Sequence, residues 1–536
     1  MDKVPASPVT SGMHIEADTE HFSHRDGTLL VGANFDKTQL GKHDIEKIDT
    51  HTLDHLKKTA DGRTILIPQP TDDPLQSLNW SWRKKHIVLF VLTYCTLMTD
   101  MSSAWSIPLV ITQAEYWGIS PSNAGRNLSG NIFMLGVGGI AAVPATRWLG
   151  RLPVLFWSMT IAFFMSIFAA AAPGWISYIV ARCLLGFFVT APQVVGLSML
   201  HDMFFFHEHA RKIGIWAGTF IFSPYLGPFL SGIINNYCGW RVSTWVCVAM
   251  QGIGVILVVL LADETYYDSG TSKRYTADVA SGKSKWRIQC EKLVGVTGYQ
   301  AHYKGVGKTM TALLIMVLRP HFVALCFFYL LTFAWSIGLN TTLTLFLAPP
   351  PPEGYGYSSL TIALFYISPM IAAVVGELFG HWFNDFIANR HIRASGGTYE
   401  PEVRLWTVYI STAFLIGGLV FYGFGIERHM QWIALIMAWA MYSFGIVTAT
   451  VAITAYGLDI FPHHGVEAAA IINMFRTSGG FIVNYFQVDW ALKSGGVVSF
   501  GTEAGIVAAA FLLVVAVQLL GSKSRAKFHS PPKYEH

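Results

Sequence analysis

Four charged side chains fall inside long apolar stretches of this sequence: the acids Asp100 and Glu377 and the bases Arg182 and Arg476. A charge in the core of a bilayer costs at least about 2.5–3.5 kcal/mol on insertion scales, so each of them needs a physical reason. Burial raises the pKa of a carboxylic acid toward neutrality, and a nearby arginine lowers it. An acid that alternates between these environments would bind and release a proton. We therefore predict proton coupling at the two acids, with the two arginines as buried charge partners.

A static ion pair that only locks helices together is the alternative role for these charges. Asp100 lies near the middle of its apolar stretch, and no arginine shares its helix face, which favours the proton-carrying role. For Arg476 the static and the functional role both stay open.

Polar and aromatic residues in the same stretches could line a substrate pocket. Aromatic walls suit flat or cationic organic molecules, through stacking and cation–π attraction. Core packing is the alternative for any single aromatic residue, because aromatic residues make up 14% of the chain. The pocket candidates are Gln193, Asn340, Thr341, Trp105, Trp335 and Tyr366.

The composition is that of a polytopic protein in a lipid bilayer. Of the 536 residues, 52% are hydrophobic and only 13% are charged, about half the charged fraction of a soluble protein. Twelve apolar blocks are each long enough, at about 20 residues, to cross a bilayer core. The blocks are 86–113, 124–145, 152–172, 176–200, 213–237, 242–261, 322–348, 360–383, 405–425, 430–458, 467–491 and 505–520.

These blocks divide into two sets of six. We predict a largely disordered cytosolic tail over 1–85, a first six-helix bundle over 86–262, a cytosolic linker over 263–318, a second bundle over 319–521 and a cytosolic tail over 522–536. Basic residues concentrate on the side of the N-terminus, which places both termini in the cytosol. Two similar halves of this kind are typical of transporters that bind substrate near the midplane.

Other function classes are disfavoured. The six cysteines are scattered without a CxxC spacing, so neither a metal site nor a disulfide framework is expected. The run 305–309 ends like a phosphate loop, but His302 stands where the first glycine belongs. The net charge of +4 gives no reason to expect nucleic acid. We expect no cofactor and no enzyme activity, because no nucleophile–base constellation is present.

Two loops carry a recurring motif. The loop after the second block contains Arg147, Gly150 and Arg151, and a second-half copy contains Asp385 and Arg390. Both are similar to the loop motif of the major facilitator superfamily, a glycine followed by an Asp-Arg pair and then Gly-Arg. Arg147 stands where that motif has its aspartate, so the usual charge relay is altered. The resemblance implies gating roles for Gly150, Arg151, Asp385 and Arg390.

Two apolar blocks strengthen the resemblance. Arg182 followed by Gly186 resembles the buried-arginine motif of the superfamily, and Gly227, Pro228 and Gly232 resemble a motif associated with its antiporters. Residues 79–81, 263–266 and 473–477 resemble the fungal twelve-span drug:proton antiporter branch. The similarity covers roughly residues 73–521. It implies an all-α membrane protein with the major facilitator fold, twelve transmembrane helices in two bundles.

The resemblance and the buried charges together predict a secondary active transporter. The expected function is proton-coupled export of a small organic molecule, such as a drug, toxin or secondary metabolite, by a monomer. The expected location is the plasma membrane, as a multi-pass protein, with the vacuolar membrane as the alternative. Proton-coupled uptake of a nutrient, organic cation or polyamine stays open, as does a nutrient sensor that does not transport.

Overall fold

The N-terminal tail contains one small element and a packed end. The structure, a computed structural model, describes residues 22–25, 28–31, 70–267, 282–295, 306–351, 354–395 and 400–528. Strands β1 (Phe22–Arg25) and β2 (Thr28–Val31) form an antiparallel hairpin. Residues from 70 onward pack on the bundle, since the Ser77 hydroxyl donates to the Asp202 carbonyl over 2.8 Å. The predicted disordered tail over 1–85 is therefore corrected at its C-terminal end.

The first half consists of seven helices. Two pairs of consecutive helices, over Trp82–Trp117 and Trp175–Met203, each form one continuous candidate membrane span. The seven helices are α1 (Trp82–Ala104), α2 (Val110–Trp117), α3 (Pro121–Leu149), α4 (Arg151–Ala170), α5 (Trp175–Val189), α6 (Ala191–Met203) and α7 (Phe206–Leu261). The 3-10 turns Ser77–Asn79 and Ile107–Leu109 precede α1 and join it to α2. Pro192, in the first turn of α6, stands beside the break between α5 and α6, where its missing N–H is tolerated.

Helix α7 is too long for one membrane crossing. Its apolar part, Lys212–Leu261, has 50 residues. At 1.5 Å per residue it would span about 75 Å, whereas a bilayer core is about 30 Å thick. Gly239, with φ of 79°, divides α7 into two helical segments. A side chain would strain this backbone conformation, so glycine suits the position.

The linker between the halves contains two helices that the sequence did not predict, α8 (Lys285–Val294) and α9 (Val306–Val317). The short apolar helix α9 buries Leu313 and Met316. It contacts α3 of the first half and α15 (Gly465–Val483) of the second. The predicted polar linker is thus a structural bridge between the two halves.

The second half repeats the plan of the first. Its other helices are α10 (Pro320–Leu347), α11 (Ser359–Phe365), α12 (Ile367–Ala394), α13 (Trp406–Glu427), α14 (Trp432–Ile460), α16 (Gln487–Ser494) and α17 (Gly496–Lys527), with a 3-10 turn Pro401–Leu405 before α13.

Within the described residues, ten helices are long and apolar enough to cross a membrane. The count of twelve stays a prediction. It requires that the two segments of α7 cross separately and that α15, with 19 residues, makes a further crossing.

The two ends of the bundle differ in chemistry. One end, called the basic end below, is rich in ion pairs, among them Arg147–Glu467, Arg151–Asp202, Arg404–Asp459 and Arg525–Glu402. The other, called the tryptophan end, holds Trp117, Trp175 and Trp240. The Trp117 ring lies 5.4 Å from the Trp175 ring and 5.1 Å from the Trp240 ring. The start of α1 and the end of α17 both lie at the basic end.

The segment after α7 packs against the basic end of the first half through ion pairs and a hydrogen bond. An Asp263 carboxylate oxygen lies 2.5 Å from the Lys84 ammonium, and its other oxygen lies 3.5 Å from Lys292. Burial raises the pKa of Asp263, but the two lysines lower it by more, so this pKa lies below its usual value. Glu264 accepts a hydrogen bond from the Leu152 backbone N–H over 3.0 Å, which caps α4.

The halves contact each other near both ends. At the basic end, Arg147 of α3 lies 3.9 Å from Glu467 of α15. At the tryptophan end, Asn235 of α7 donates to the Ser359 hydroxyl of α11 over 3.4 Å. A Cβ on Gly232 would lie 2.8 Å from the Ala363 Cβ, so a small residue is needed where α7 meets α11.

Gly227 makes the closest approach of α7 to α1. A Cβ there would lie 2.4 Å from the Met101 carbonyl oxygen, a backbone atom that cannot swing away. We predict that Gly227→Leu lowers the stability of the purified protein by about 1–3 kcal/mol, the usual cost of overpacking. Thermal unfolding in detergent measures the change.

The matched control lies nine residues earlier on the same helix. A Cβ at Gly218 meets nothing within 4 Å. Gly218→Leu should therefore unfold close to the wild-type temperature. Equal unfolding temperatures for the two leucine variants would contradict the proposed tight contact.

Candidate functional site

A cavity of about 70 Å³ lies between the two halves, near the middle of the bundle. Helices α1, α3 and α7 of the first half and α10 and α15 of the second supply its walls. Its polar lining residues are Asp100, Ser103, Ser336, Asn340, Thr341, Arg476 and Thr477. The apolar wall includes Leu128, Ile132, Tyr225 and Phe333. Since ligand pockets usually measure about 300–1,000 Å³, the structure represents a state that is closed around this site.

An ion pair in the cavity wall joins the halves. Oδ2 of Asp100 on α1 lies 3.4 Å from Nη2 of Arg476 on α15, and the two side chains are 7% and 8% exposed. The Gln193 amide donates to the same Oδ2 over 3.1 Å. No arginine shares the helix face of Asp100 in the sequence, and the partner comes from the other half.

Arg476 is held on three further sides. Its Nε donates to the Asn473 side-chain oxygen over 3.0 Å. The guanidinium carbon lies 4.5 Å from the centre of the Phe220 ring and 5.1 Å from that of Phe333. Such cation–π contacts strengthen when the groups are desolvated. The arginine therefore keeps favourable contacts when its charge partner is neutralised.

Arg182 does not pair with a buried acid, which corrects the prediction. Within the described residues, its guanidinium donates to the carbonyls of Ser102 and Ser103 and, over 3.0 Å, to the Ser106 hydroxyl. Helix α1 ends at Ala104, and the last carbonyls of a helix lack intrahelical partners and carry partial negative charge. Arg182 therefore stabilises the break between α1 and α2.

Glu377, the second acid predicted to take part in proton coupling, lies outside the cavity wall. Its Oε1 lies 3.0 Å from Nε2 of His381, one turn later on α12. Leu378 and Trp382 on the same helix are 68% and 60% exposed, so this part of α12 faces outward.

The three aromatic pocket candidates pack in the core instead of lining the cavity. The Trp105 indole donates to the Ser243 carbonyl over 3.0 Å. Trp335 packs edge-on against Phe486. Tyr366 donates to the Asn340 carbonyl over 3.0 Å. Tyr225 and Phe333 line the cavity instead. The sequence does not single out either residue, because helices that are apolar on all sides do not show which face meets the other half.

Pro228 contributes to the cavity through the backbone. Because proline has no N–H, the carbonyl four residues earlier, that of Pro224, loses its helical partner. Asn340 of the second half donates its side-chain amide to this carbonyl over 3.3 Å. The motif around Gly227 and Pro228 therefore provides both a close helix approach and a free acceptor for the opposite half.

Three buried polar atoms at the cavity have no hydrogen-bond partner among the described residues. They are Ser103 Oγ, Asn340 Oδ1 and, beside Asp100, Gln193 Oε1. An unsatisfied buried polar group costs about 1–3 kcal/mol. These atoms are available to a bound molecule, while Thr341 already bonds Asn484.

The four predicted gating residues occupy the basic end or the exposed surface. Gly150 ends α3 with φ of 96°, and Arg151 pairs with Asp202. Asp385 is largely exposed and reaches Arg404 only at 4.0 Å. Arg390 is exposed.

Comparison with known proteins agrees with this architecture of two helical halves around a central site, that of a membrane transporter. The sequence profile of the Major Facilitator Superfamily matches residues 91–484. The chain therefore belongs to the major facilitator superfamily, whose members are transporters and not enzymes.

Relatives of this chain are fungal transporters. The MFS transporter cpaT of Aspergillus oryzae is 25% identical, covering 77% of this chain and 81% of its own length. The efflux pump radE of Floropilus chiversii is 22% identical, covering 82% and 80%. The solved structure of the proton:xylose symporter XylE has a TM-score of 0.57 at 13% identity, covering 84% of this chain and all of that one, and shares the fold.

Arg476 gives a stability prediction. Removal of one partner from a buried ion pair costs about 3–5 kcal/mol, because the other charge stays uncompensated. We predict this loss for Arg476→Ala and a smaller one for Arg476→Lys, measured by thermal unfolding. The double variant Asp100→Asn/Arg476→Ala should be more stable than Arg476→Ala alone. Wild-type stability of the single alanine variant would show that the pair contributes nothing.

Proposed function

We propose that the protein is a proton-coupled exporter of a small organic molecule, such as a drug, toxin or secondary metabolite. The single observation that carries this proposal is the Asp100–Arg476 ion pair, which joins the two halves in the wall of the central cavity. A carboxylate in this position links its own protonation to the contact between the halves.

Protonation of Asp100 removes one charge of the pair. Arg476 then keeps Asn473, Phe220 and Phe333, but the charge attraction between α1 and α15 is lost. A ligand shifts the equilibrium between two conformations toward the one that it binds more tightly. Here the proton is that ligand, and it therefore favours the conformation in which the pair is separated and the halves are open.

The substrate binds where the halves meet. A flat molecule would pack between Tyr225 and Phe333 and would bond to the free atoms of Ser103 and Asn340. A positive or hydrogen-bond-donating group would pair with ionised Asp100. Proton and substrate would then compete for one carboxylate, which is the requirement for exchange of one against the other.

The basic end faces the cytosol in this proposal, as the positive-inside rule requires. The chain then crosses the membrane twelve times, with both termini in the cytosol, and works as a monomer in the plasma membrane. The direction of transport is supported by a relative named as an efflux pump. It is also supported by Gly227 and Pro228, whose sequence resembles the antiporter motif.

Asp100→Asn is the test of coupling, because the amide keeps the shape and cannot take up the proton. We expect host cells that produce the wild-type chain to move a class of small organic metabolites from cells to medium. Cells with an equal membrane level of Asp100→Asn should not. Untargeted metabolite profiles of cells and medium measure the difference.

The same profiles separate the alternatives. Metabolites that disappear from the medium and accumulate in cells would show uptake instead of export. Profiles identical to those of cells without the chain would fit a sensor that does not transport. Equal export by Asp100→Asn would remove Asp100 from the coupling step.

A further inference from the structure

A second buried carboxyl lies in the second half, on a helix that the cavity does not use. Glu503 on α17 has no exposed surface. Its Oε1 accepts a hydrogen bond from the Gln487 amide over 3.0 Å, and its Oε2 is buried without a partner among the described residues. No lysine, arginine or histidine of the described chain forms an ion pair with it.

An ionised carboxylate is unfavourable in such a place. A buried charge needs an opposite charge or several hydrogen bonds, and one neutral amide supplies little of either. The protonated acid has no net charge, so its burial costs much less free energy than the burial of a carboxylate. Glu503 therefore holds a proton in the closed state described here.

The helices packed against α17 bring no positive group to this carboxyl. Tyr422 on α13 has a buried hydroxyl without a partner, and Tyr442 on α14 donates its hydroxyl to the Thr332 carbonyl. Glu427, at the end of α13, accepts from the Val497 backbone N–H instead. The other titratable residues of neighbouring elements point to solvent or lie at the basic end. They include Asp489 and Lys493 of α16, Glu402, which pairs with Arg525, His321 of α10, which contacts Ser524, and Tyr409 of α13, which packs on Phe511.

The partner amide is held in a fixed position. A Cβ on Gly338 of α10 would lie 2.5 Å from Gln487 Oε1 and 2.8 Å from its Nε2, so only glycine leaves room for this side chain. The same Oε1 lies 3.2 Å from the Thr342 hydroxyl, which also donates to the Gly338 carbonyl over 2.7 Å. With its oxygen turned toward Thr342, the amide presents its N–H to Glu503.

Glu503 lies near the tryptophan end, on a chain of hydrogen bonds that ends beside the cavity wall. Helix α17 begins at Gly496, so Glu503 lies about 10 Å inside that end, at 1.5 Å per residue. The hydrogen bonds continue from Glu503 through Gln487 to Thr342, whose neighbour Thr341 lines the cavity.

We propose that Glu503 is a second proton-binding carboxyl, which takes its proton from the tryptophan end and releases it when the second half opens to water. The proposal deepens the proposed proton coupling, but the protonation of Glu503 in the closed state does not depend on Asp100. Each carboxyl can therefore be tested separately.

Infrared spectroscopy of the purified protein in lipid tests the proposal, because a protonated carboxyl has a carbonyl stretch that an ionised one lacks. We expect this band at neutral pH, its loss on titration to alkaline pH, and its absence in Glu503→Gln. Glu402→Gln is the matched control. Glu402 is also buried, but it pairs with Arg525 through two charge-assisted hydrogen bonds, so its replacement should leave the band unchanged.

Two further variants keep the test decisive. Gly338→Ala should displace Gln487 and shift the frequency of the band, which supplies a readout if Glu503→Gln does not fold. Coupled export is measured separately in Asp100→Asn: export that survives in this variant would remove Asp100 from the coupling step and leave the infrared result for Glu503 standing, so that failure of one carboxyl is distinguished from failure of the other. Identical spectra of the wild type and Glu503→Gln, or an unshifted band in Gly338→Ala, would overturn the proposal.

Discussion

Asp100 and Arg476 carry opposite charges in an apolar interior, and each offsets part of the desolvation cost of the other. The cost of desolvation makes their contact a condition of the closed state. Because Asp100 belongs to α1 and Arg476 to α15, the same contact sets how the halves meet. The amide of Gln193 bonds to Asp100 and the aromatic rings contact Arg476, but neither supplies an opposite charge. In the proposed mechanism, the gain or loss of one proton at Asp100 therefore changes how the two halves contact each other.

The backbone carries the rest of the central contact. Proline at position 228 frees a carbonyl that Asn340 of the opposite half uses, and glycine at 227 brings α7 onto α1. These contacts place the polar atoms of the cavity within reach of both halves. The ion pair Arg147–Glu467 at the basic end joins the two halves a second time. Arg147 takes part with a charge opposite to that of the aspartate usual at its position.

The sequence predicted the helical halves well, because composition and the length of apolar blocks depend on the bilayer and not on long-range packing. It identified Asp100 and Arg476 but not their pairing, since they are 376 residues apart and meet only when the halves dock. Trp105 and Trp335 were assigned to the pocket because an apolar helix does not show which side faces a ligand. The sequence does not point to Glu503, because its last apolar block starts at residue 505, whereas α17 begins at Gly496.

The central claim is that protonation of Asp100 releases the two halves, and the distance between them measures it most directly. Spin labels at Trp148 on α3 and Lys523 on α17, both exposed at the basic end, report this distance by pulsed electron resonance. The distance distribution of the labelled protein should change between neutral and acidic pH. Asp100→Asn at neutral pH should already give the acidic distribution. A distribution that is the same at both pH values and in Asp100→Asn would contradict the account.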